Sequence, residues 1–444
     1  MTTAKDSEDL TRVGPGTVMG DFMRQYWIPA AKSDELEADG DPMRLMLLGE
    51  KLIAFRDTNG RVGVMDHRCP HRCASLFLGR NEEGGIRCVY HGWKFDAEGN
   101  CVDMPNLRPE QDFKHKVQAK AYRVAERNGL VWVYMGARAE APPLPAMESA
   151  LVPEGDVGIN FVLRDCNWMQ ALEGDIDTSH FGFLHVGHVG PEDVPEDHPF
   201  NQTVNDRAPR FDVADTPWGT SYGAWRQCAP GRNYWRISNF IFPFWTQTPQ
   251  GAFDSHVHAR AWVPLDDTHT MFIYVYWKAG SSGGNRKRPP LLNGKLGAPR
   301  AEHEYQPNTT DWLGRWRITG NESNDWQIDR ELQRSGALFT GIANIHQQDQ
   351  AVTESMGPVT DHSFEHLAPS DLMITRTRRR CLLAARAFRD TGAAPPGVDD
   401  PETFFAVRSG YFEEDKSVNF AEAYARHLES VTRAVNPPAA DAAD

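Results

Sequence analysis

The sequence predicts an α+β chain in which a small all-β domain precedes a larger antiparallel sheet with helices packed on it. Three observations carry that expectation. Short apolar runs broken by turn residues fill the chain up to about Gly136, at 45–48, 52–55, the Asn59-Gly60 turn and 130–134. Longer strand patterns follow at 235–244, 255–263 and 270–277, the last two joined by the turn-like 264–268. Helical patterns flank them at 169–180, 325–334 and 417–435, the last with Phe420, Ala421, Tyr424, Leu428 and Val431 on one face. A sheet covered by helices is the economical layer arrangement for such a pattern.

The chain of 444 residues and 49.9 kDa is long enough for one large or two ordinary domains, and 40% hydrophobic residues supply a core. Its 47 Lys and Arg against 61 Asp and Glu leave a formal charge of −14 and a pI near 5.6. That balance argues against nucleic acid or an anionic membrane as the main partner, since both need a cationic footprint, but allows a local basic pocket for a small anion. No stretch approaches the roughly 20 apolar residues of a membrane span. The polar start lacks a signal core, so the expected location is the cytoplasm. Residues 1–136 read as an N-terminal segment and the β-rich domain, 137–155 as a Pro/Ala-rich linker, 156–435 as the second domain and 436–444 as a disordered tail. Residues 280–310 read as a long functional or mobile loop.

Seven cysteines spread over the chain do not form a disulfide framework. Cys69-Pro70-His71 is followed, after 16 residues, by Cys88-Val89-Tyr90-His91, so each short loop offers one thiolate and one imidazole. Zinc sites usually space paired ligands by about two to five residues, whereas one residue separates Cys69 from His71. A mixed pair on each loop suits a two-iron cluster better, because each loop can give its Cys to one iron and its His to the other. That is the donor set of a Rieske [2Fe-2S] centre, whose neutral imidazoles raise the reduction potential. Cys73 and Cys101 fall outside the pattern and read as packed thiols.

In the second domain, 167–185 concentrates acids and imidazoles. Asp177 and His180, three apart, are expected on one helical face. His180 and His185 are five apart, about 140° off a common face of an ideal helix. Both can reach one metal only if the helix bulges or ends between them, which Gly182 permits. Two His and a carboxylate make the facial triad of non-haem Fe(II) oxygenases. Residues 347–357 supply two candidate carboxylates, Asp349 and Glu354.

Cys-Pro-His-Arg at 69–72 and Cys-x-Tyr-His-Gly-Trp-x-Phe at 88–95 carry a family resemblance. So do Val13-Gly14-Pro15-Gly16-Thr17, Tyr26-Trp27-Ile28-Pro29, Asn324-Asp325-Trp326 with Asp329-Arg330, and Glu365-His366-Leu367 with Ser370-Asp371. The chain resembles, over nearly all of 10–435, the terminal oxygenase of Rieske non-haem iron aromatic ring-hydroxylating oxygenases, in the phthalate dioxygenase subfamily. The resemblance implies a helix-grip catalytic domain, trimers or stacked trimers, and electrons crossing between subunits. It places the third iron ligand at Asp349 and leaves Glu354 a structural role. It also makes Asp177 the bridging acid between His180 of its own chain and His91 of the next. The segment 14–20 is not a dinucleotide fingerprint, because its spacing is one residue too long. Electrons must therefore come from a separate reductase, which the resemblance implies is a flavin/iron–sulfur protein passing on electrons from NAD(P)H.

The ligand set does not separate dihydroxylation, hydroxylation and O-demethylation. Arg207, Arg210, Arg226 and Arg236, interleaved with Tyr222, Trp225, Tyr234 and Trp235, follow the His pair. Guanidinium forks suit carboxylates and aromatic walls suit a ring, so an aromatic carboxylate held by Arg207 or Arg236 is the expected substrate. O-demethylation of a methoxylated aromatic acid is the close alternative. An electron carrier with a vestigial iron site is the alternative from another class.

Overall fold

The structure is a computed structural model and describes residues 2–188, 194–196, 201–254, 256–278, 303–405 and 407–432. Most of the 280–310 segment and the 436–444 tail lie outside the described residues. The first domain carries two sheets. A six-stranded antiparallel sheet runs in the order Trp27–Lys32, Leu130–Tyr134, Ala121–Arg127, Val62–Asp66, Glu50–Arg56, Met43–Leu47. A smaller one joins Arg80–Glu82, Gly85–Arg87, Lys94–Phe95 and Cys101–Asp103. Ile53, Phe55, Met65, Leu76, Ile86, Trp93 and Phe95 pack beneath them with Cys69 and Cys88. One Cys/His loop follows the Val62–Asp66 strand, and the other connects Gly85–Arg87 to Lys94–Phe95.

The second domain is an eight-stranded antiparallel sheet in the order Val157–Arg164, Thr270–Trp277, His258–Pro264, Trp245–Gln247, Arg232–Ile241, Gly219–Ala229, Arg210–Thr216, with Gly410–Asp415 also pairing with Arg232–Ile241. The Thr270–Trp277 strand keeps its expected bounds, while 235–244 and 255–263 become Arg232–Ile241 and His258–Pro264. Alternation puts Tyr222, Ala224 and Arg226 beside Ser238, Arg236 and Tyr234 on one face. One apolar core cluster runs through both domains, and the Trp132 and Trp245 rings stack across it at 5.9 Å.

The helices depart further from expectation. The helix expected over 169–180 is Trp168–Asp175, and a separate helix, Phe181–Leu184, follows. The first ends where Asp175 turns to the sheet, accepting from Thr246 Oγ1 at 2.5 Å and from Arg260. Asp177 Oδ1 then accepts from Ser179 N–H at 2.6 Å, a local turn that competes with helix. Asp177 and His180 are therefore neighbours in a turn and do not share a helical face. The pattern at 325–334 is also broken, because Asp325, Trp326 and Gln327 adopt left-handed φ values of 51°, 48° and 58°. They are held by Trp326 Nε1 donating to Glu354 Oε2 at 2.6 Å, and the regular helix is only Arg330–Ser335. Of the helix expected over 417–435, Phe420–Thr432 is helical, 417–419 form a turn before it, and 433–435 lie outside the described residues.

A 20-residue helix, Leu372–Thr391, went unrecognised because its arginines mask the apolar stripe. Those arginines are tethers. Arg376 and Arg380 reach Asp215, Arg386 reaches Asp6 and Asp9, and Arg378 lies between Glu173 and Glu365. No helix among the described residues is long and apolar enough to cross a membrane.

Arg378 makes forked contacts of 2.5 to 2.8 Å with both carboxylates at a buried position. Arg378→Met removes the cation that pairs them, and losing one partner of a buried ion pair costs about 3–5 kcal/mol. Urea unfolding followed by circular dichroism is expected to show that loss. A change below about 1 kcal/mol would mean that the clamp is not the tie that the geometry indicates.

Candidate metal centres

The two loops of the first domain share one backbone design. Cys69 N–H donates to Ala74 O at 2.8 Å and Cys73 N–H to Cys69 O at 2.9 Å. In the other loop, Cys88 N–H donates to Trp93 O at 2.8 Å and Gly92 N–H to Cys88 O at 2.9 Å. The fifth residue of each loop is left-handed, with φ 60° at Cys73 and 79° at Gly92. Cys73 is thus exposed at a turn position that glycine fills in the twin loop, not a packed thiol as expected, whereas Cys101 is buried. Cys69 and Cys88 are buried, and the His71 and His91 rings lie 4.4 Å apart with Trp93 stacked on His71.

These residues fit a Rieske cluster. His91 Nδ1 is buried with no hydrogen-bond partner among the described residues, as a metal-binding nitrogen must be. Burial, together with the neighbouring Cys88, pushes the Cys69 thiol up to about 12, a cost that binding of the thiolate to iron removes.

The second centre gathers residues far apart in sequence. His180 and His185 flank the four-residue Phe181–Leu184 helix, so the breaks on either side bring both imidazoles to one point. Gly182 serves a different purpose from the expected break, since a Cβ there would lie 3.1 Å from Arg207 Cγ. Asp349 arrives on the Ile345–Ser355 helix, which Asn344 caps by accepting from the His346 and Gln347 N–H groups. His180 Nε2 and His185 Nε2 lie 3.6 and 3.3 Å from Asp349 Oδ1.

One donor atom from each residue falls within 4.8 Å of the others. Bonds of about 2.1 Å at right angles would set them about 3 Å apart, so this donor set suits one metal ion. Burial alone would raise the Asp349 pKa, but the His185 and His180 imidazoles outweigh it and hold the carboxylate well below its usual range. Glu354 stands apart from the triad, accepting from Asp165 N–H and Trp326 Nε1–H. Glu173, His362 and Glu365 also converge, but Arg378 occupies the space between the carboxylates.

The Rieske [2Fe-2S] domain family matches residues 26–123, and the LigXa C-terminal domain-like family matches 133–409. The chain is 53% identical over 435 residues to the 3-chlorobenzoate-3,4-dioxygenase oxygenase subunit of Comamonas testosteroni, covering 98% of this chain and 100% of the relative. It belongs to the phthalate dioxygenase-like Rieske oxygenases. The phthalate 4,5-dioxygenase oxygenase subunit of Pseudomonas putida is 36% identical over 443 residues, with 96% of each chain covered. Dicamba monooxygenase bound to dicamba shares the fold with a TM-score of 0.54 at 17% identity, covering 83% of this chain and 99% of that one.

The oxygenase is therefore an oxidoreductase that works with a separate reductase, and it carries a Rieske cluster and a mononuclear iron. Asp177 lies 3.6 Å from His180 Nδ1, longer than a formed hydrogen bond. Arg207 is exposed, 5.2 Å from the Phe183 ring centroid. Arg236 is buried 5.5 Å from the ring of Phe181, the residue after His180.

Beside Arg236, Arg226 is also buried and donates through Nε to Asp206 O, while its Nη1 has no partner among the described residues. Burial and the Arg236 charge lower its pKa to about 10. Arg226 is one of the four arginines that follow the His pair, beside the expected Arg207 and Arg236. The signal is its even spacing from Tyr222, which puts it on the sheet face of Arg236. The oxygenase's His180→Ala variant is expected to lose about one of its three irons per chain and to keep the cluster absorbance. Loss of the cluster from folded protein would contradict two separate centres.

Proposed function

We propose that this oxygenase adds oxygen from O₂ to the ring of an aromatic carboxylate of the benzoate class, at a metal held by His180, His185 and Asp349 and supplied with electrons from a cluster held by Cys69, His71, Cys88 and His91. The observation that carries this reading is the pair of buried guanidiniums, Arg226 and Arg236, next to the residue that follows His180. Two buried cations on one sheet face favour an anion beside them, and a carboxylate can take the hydrogens of Arg226 Nη1, which has no partner among the described residues. The 53% identical relative is by name a 3-chlorobenzoate dioxygenase, which agrees with a single carboxylate.

Iron at the triad supplies the redox chemistry that activates O₂. The protein's own part is to hold and orient. Arg236 and Arg226 fix the carboxylate, Phe181 bounds the ring, and exposed Arg207 at the rim draws the anion in. Dihydroxylation consumes one O₂, two electrons and two protons and leaves both oxygens on the ring. O-demethylation leaves one oxygen in water and releases formaldehyde, so product analysis separates the two. We further place the catalytic unit at 156–435, joined through 137–155 to the cluster unit at 1–136.

We also propose a cyclic trimer in which Asp177 bridges its own His180 to a neighbouring subunit's His91. Two features support this reading. The buried Nδ1 of His91 leaves its other nitrogen for a partner, with Val89 and Tyr90 more than half exposed beside it. Near the iron ligands, Phe183 and Phe339 are likewise more than half exposed, and a second subunit would cover both patches.

Losing the carboxylate contact should cost about 1.5–3 kcal/mol. Arg236→Met is therefore expected to raise KM for benzoate-type acids roughly ten- to hundredfold, with less effect on neutral analogues. An unchanged KM would remove Arg236 from the substrate site. His71→Ala and His180→Ala should each be inactive alone, and their randomly mixed trimers should recover roughly a quarter of wild-type activity per subunit. No recovery in mixed trimers, verified with two affinity tags, would rule out transfer between subunits.

A further inference from the structure

Gln348 precedes Asp349 on the Ile345–Ser355 helix, and its side chain is fully buried. The amide meets three groups. Its Oε1 is 2.7 Å from His185 Nδ1, and its Nε2 is 2.7 Å from Ile342 O and 3.1 Å from His188 Nε2. The orientation follows from the one partner that cannot change role. A backbone carbonyl only accepts, so the amide atom at Ile342 O must be the nitrogen. The atom at His185 Nδ1 is then the oxygen, which only accepts, so His185 must carry its proton on Nδ1. Its lone pair is thereby fixed on Nε2, the atom that faces Asp349 Oδ1 at 3.3 Å. Nε2 of the amide has two hydrogens; Ile342 takes one, and His188 Nε2 accepts the other.

The two imidazoles of the centre are therefore held differently. Next to His180 Nδ1 is the Asp177 carboxylate, whereas His185 Nδ1 is held by a neutral amide. An amide cannot take the proton of His185 and brings no charge to the buried side of the centre. The neighbouring turn is braced as well. A Cβ at Gly187 would lie 2.6 Å from Ala337 O, and Phe339 N–H donates to Val186 O at 3.1 Å.

We infer that Gln348 is a positioning residue for metal binding: its amide fixes the tautomer and ring orientation of His185 so that Nε2 is presented to the metal. This rests on the reading of His180, His185 and Asp349 as ligands. Partners of this kind behind a metal-bound His typically carry 10- to 100-fold of metal affinity.

The test uses Co(II), titrated into protein freed of its mononuclear metal by a chelator with the cluster absorbance intact, and followed by the visible bands of bound Co(II). Gln348→Met, nearly isosteric but without the acceptor, should weaken Co(II) binding roughly 10- to 100-fold. Gln348→Glu keeps the acceptor for His185 but loses the donor for Ile342, so it should bind Co(II) within about threefold of wild type while unfolding at lower temperature. That split between affinity and stability is what a purely structural role would not give.

Wild-type affinity in Gln348→Met, or equal loss in both variants, overturns the inference. Should Gln348→Met not fold, Gln348→Glu decides alone, with retained affinity supporting the inference and lost affinity overturning it. His185→Ala serves as the control on the ligand reading. If it binds Co(II) as wild type does, the ligand reading fails and the inference with it. If it loses Co(II) while Gln348→Met does not, only the inference fails.

Discussion

The carboxylate of Asp175 takes hydrogen bonds from Thr246 and Arg260 of the sheet at the point where the Trp168–Asp175 helix stops. The chain must leave that pin in a turn, and the turn contains Asp177 and His180. Without it, helical periodicity would carry on and swing His180 and His185 to different faces. The sheet thus decides where the helix ends, and the helix end decides where two imidazoles meet. Arg378, buried against Glu173 on the same helix, fixes the other side of the element. The convergence of His180 and His185 is built by long-range contacts acting on a short segment.

The cluster centre is built the other way. Its two loops are local, each closed by the same pair of backbone hydrogen bonds and each turned by a left-handed residue. This contrast explains how much could be read in advance. The grouping of Cys69, His71, Cys88 and His91 was legible because these residues and their scaffold lie within a few positions of one another in each loop. His180 and His185 were legible as a pair, but the reason they converge was not, since the pin comes from strands at Thr246 and Arg260. Asp349 came from family resemblance, because composition alone could not separate it from Glu354. In the structure Glu354 is taken up by Asp165 and Trp326.

The same logic runs through the fold. The strands expected at 235–244, 255–263 and 270–277 were legible because each is a nearly continuous buried apolar run, whereas the other strands of the sheet carry weaker patterns and were not. Helices fared worse. The Leu372–Thr391 helix is rich in arginine because it ties the N-terminal helix and the sheet edge together through ion pairs, and such a surface hides its apolar stripe. At 325–327 a run of left-handed residues interrupts a helical pattern, at a backbone cost of roughly 1–2 kcal/mol per residue that contacts such as those to Glu354 and Gln347 offset.

The apolar core that passes without interruption from Trp132 to Trp245 has a mechanical consequence. A connecting segment of prolines and alanines would by itself let two halves swing, but a shared core welds them. The six-stranded sheet of the first domain then sits on the second domain through side-chain packing, whatever the tension or slack of the connection. Cutting the chain at the connection would bare indole and leucine faces on both halves, so neither half is a natural module for separate study.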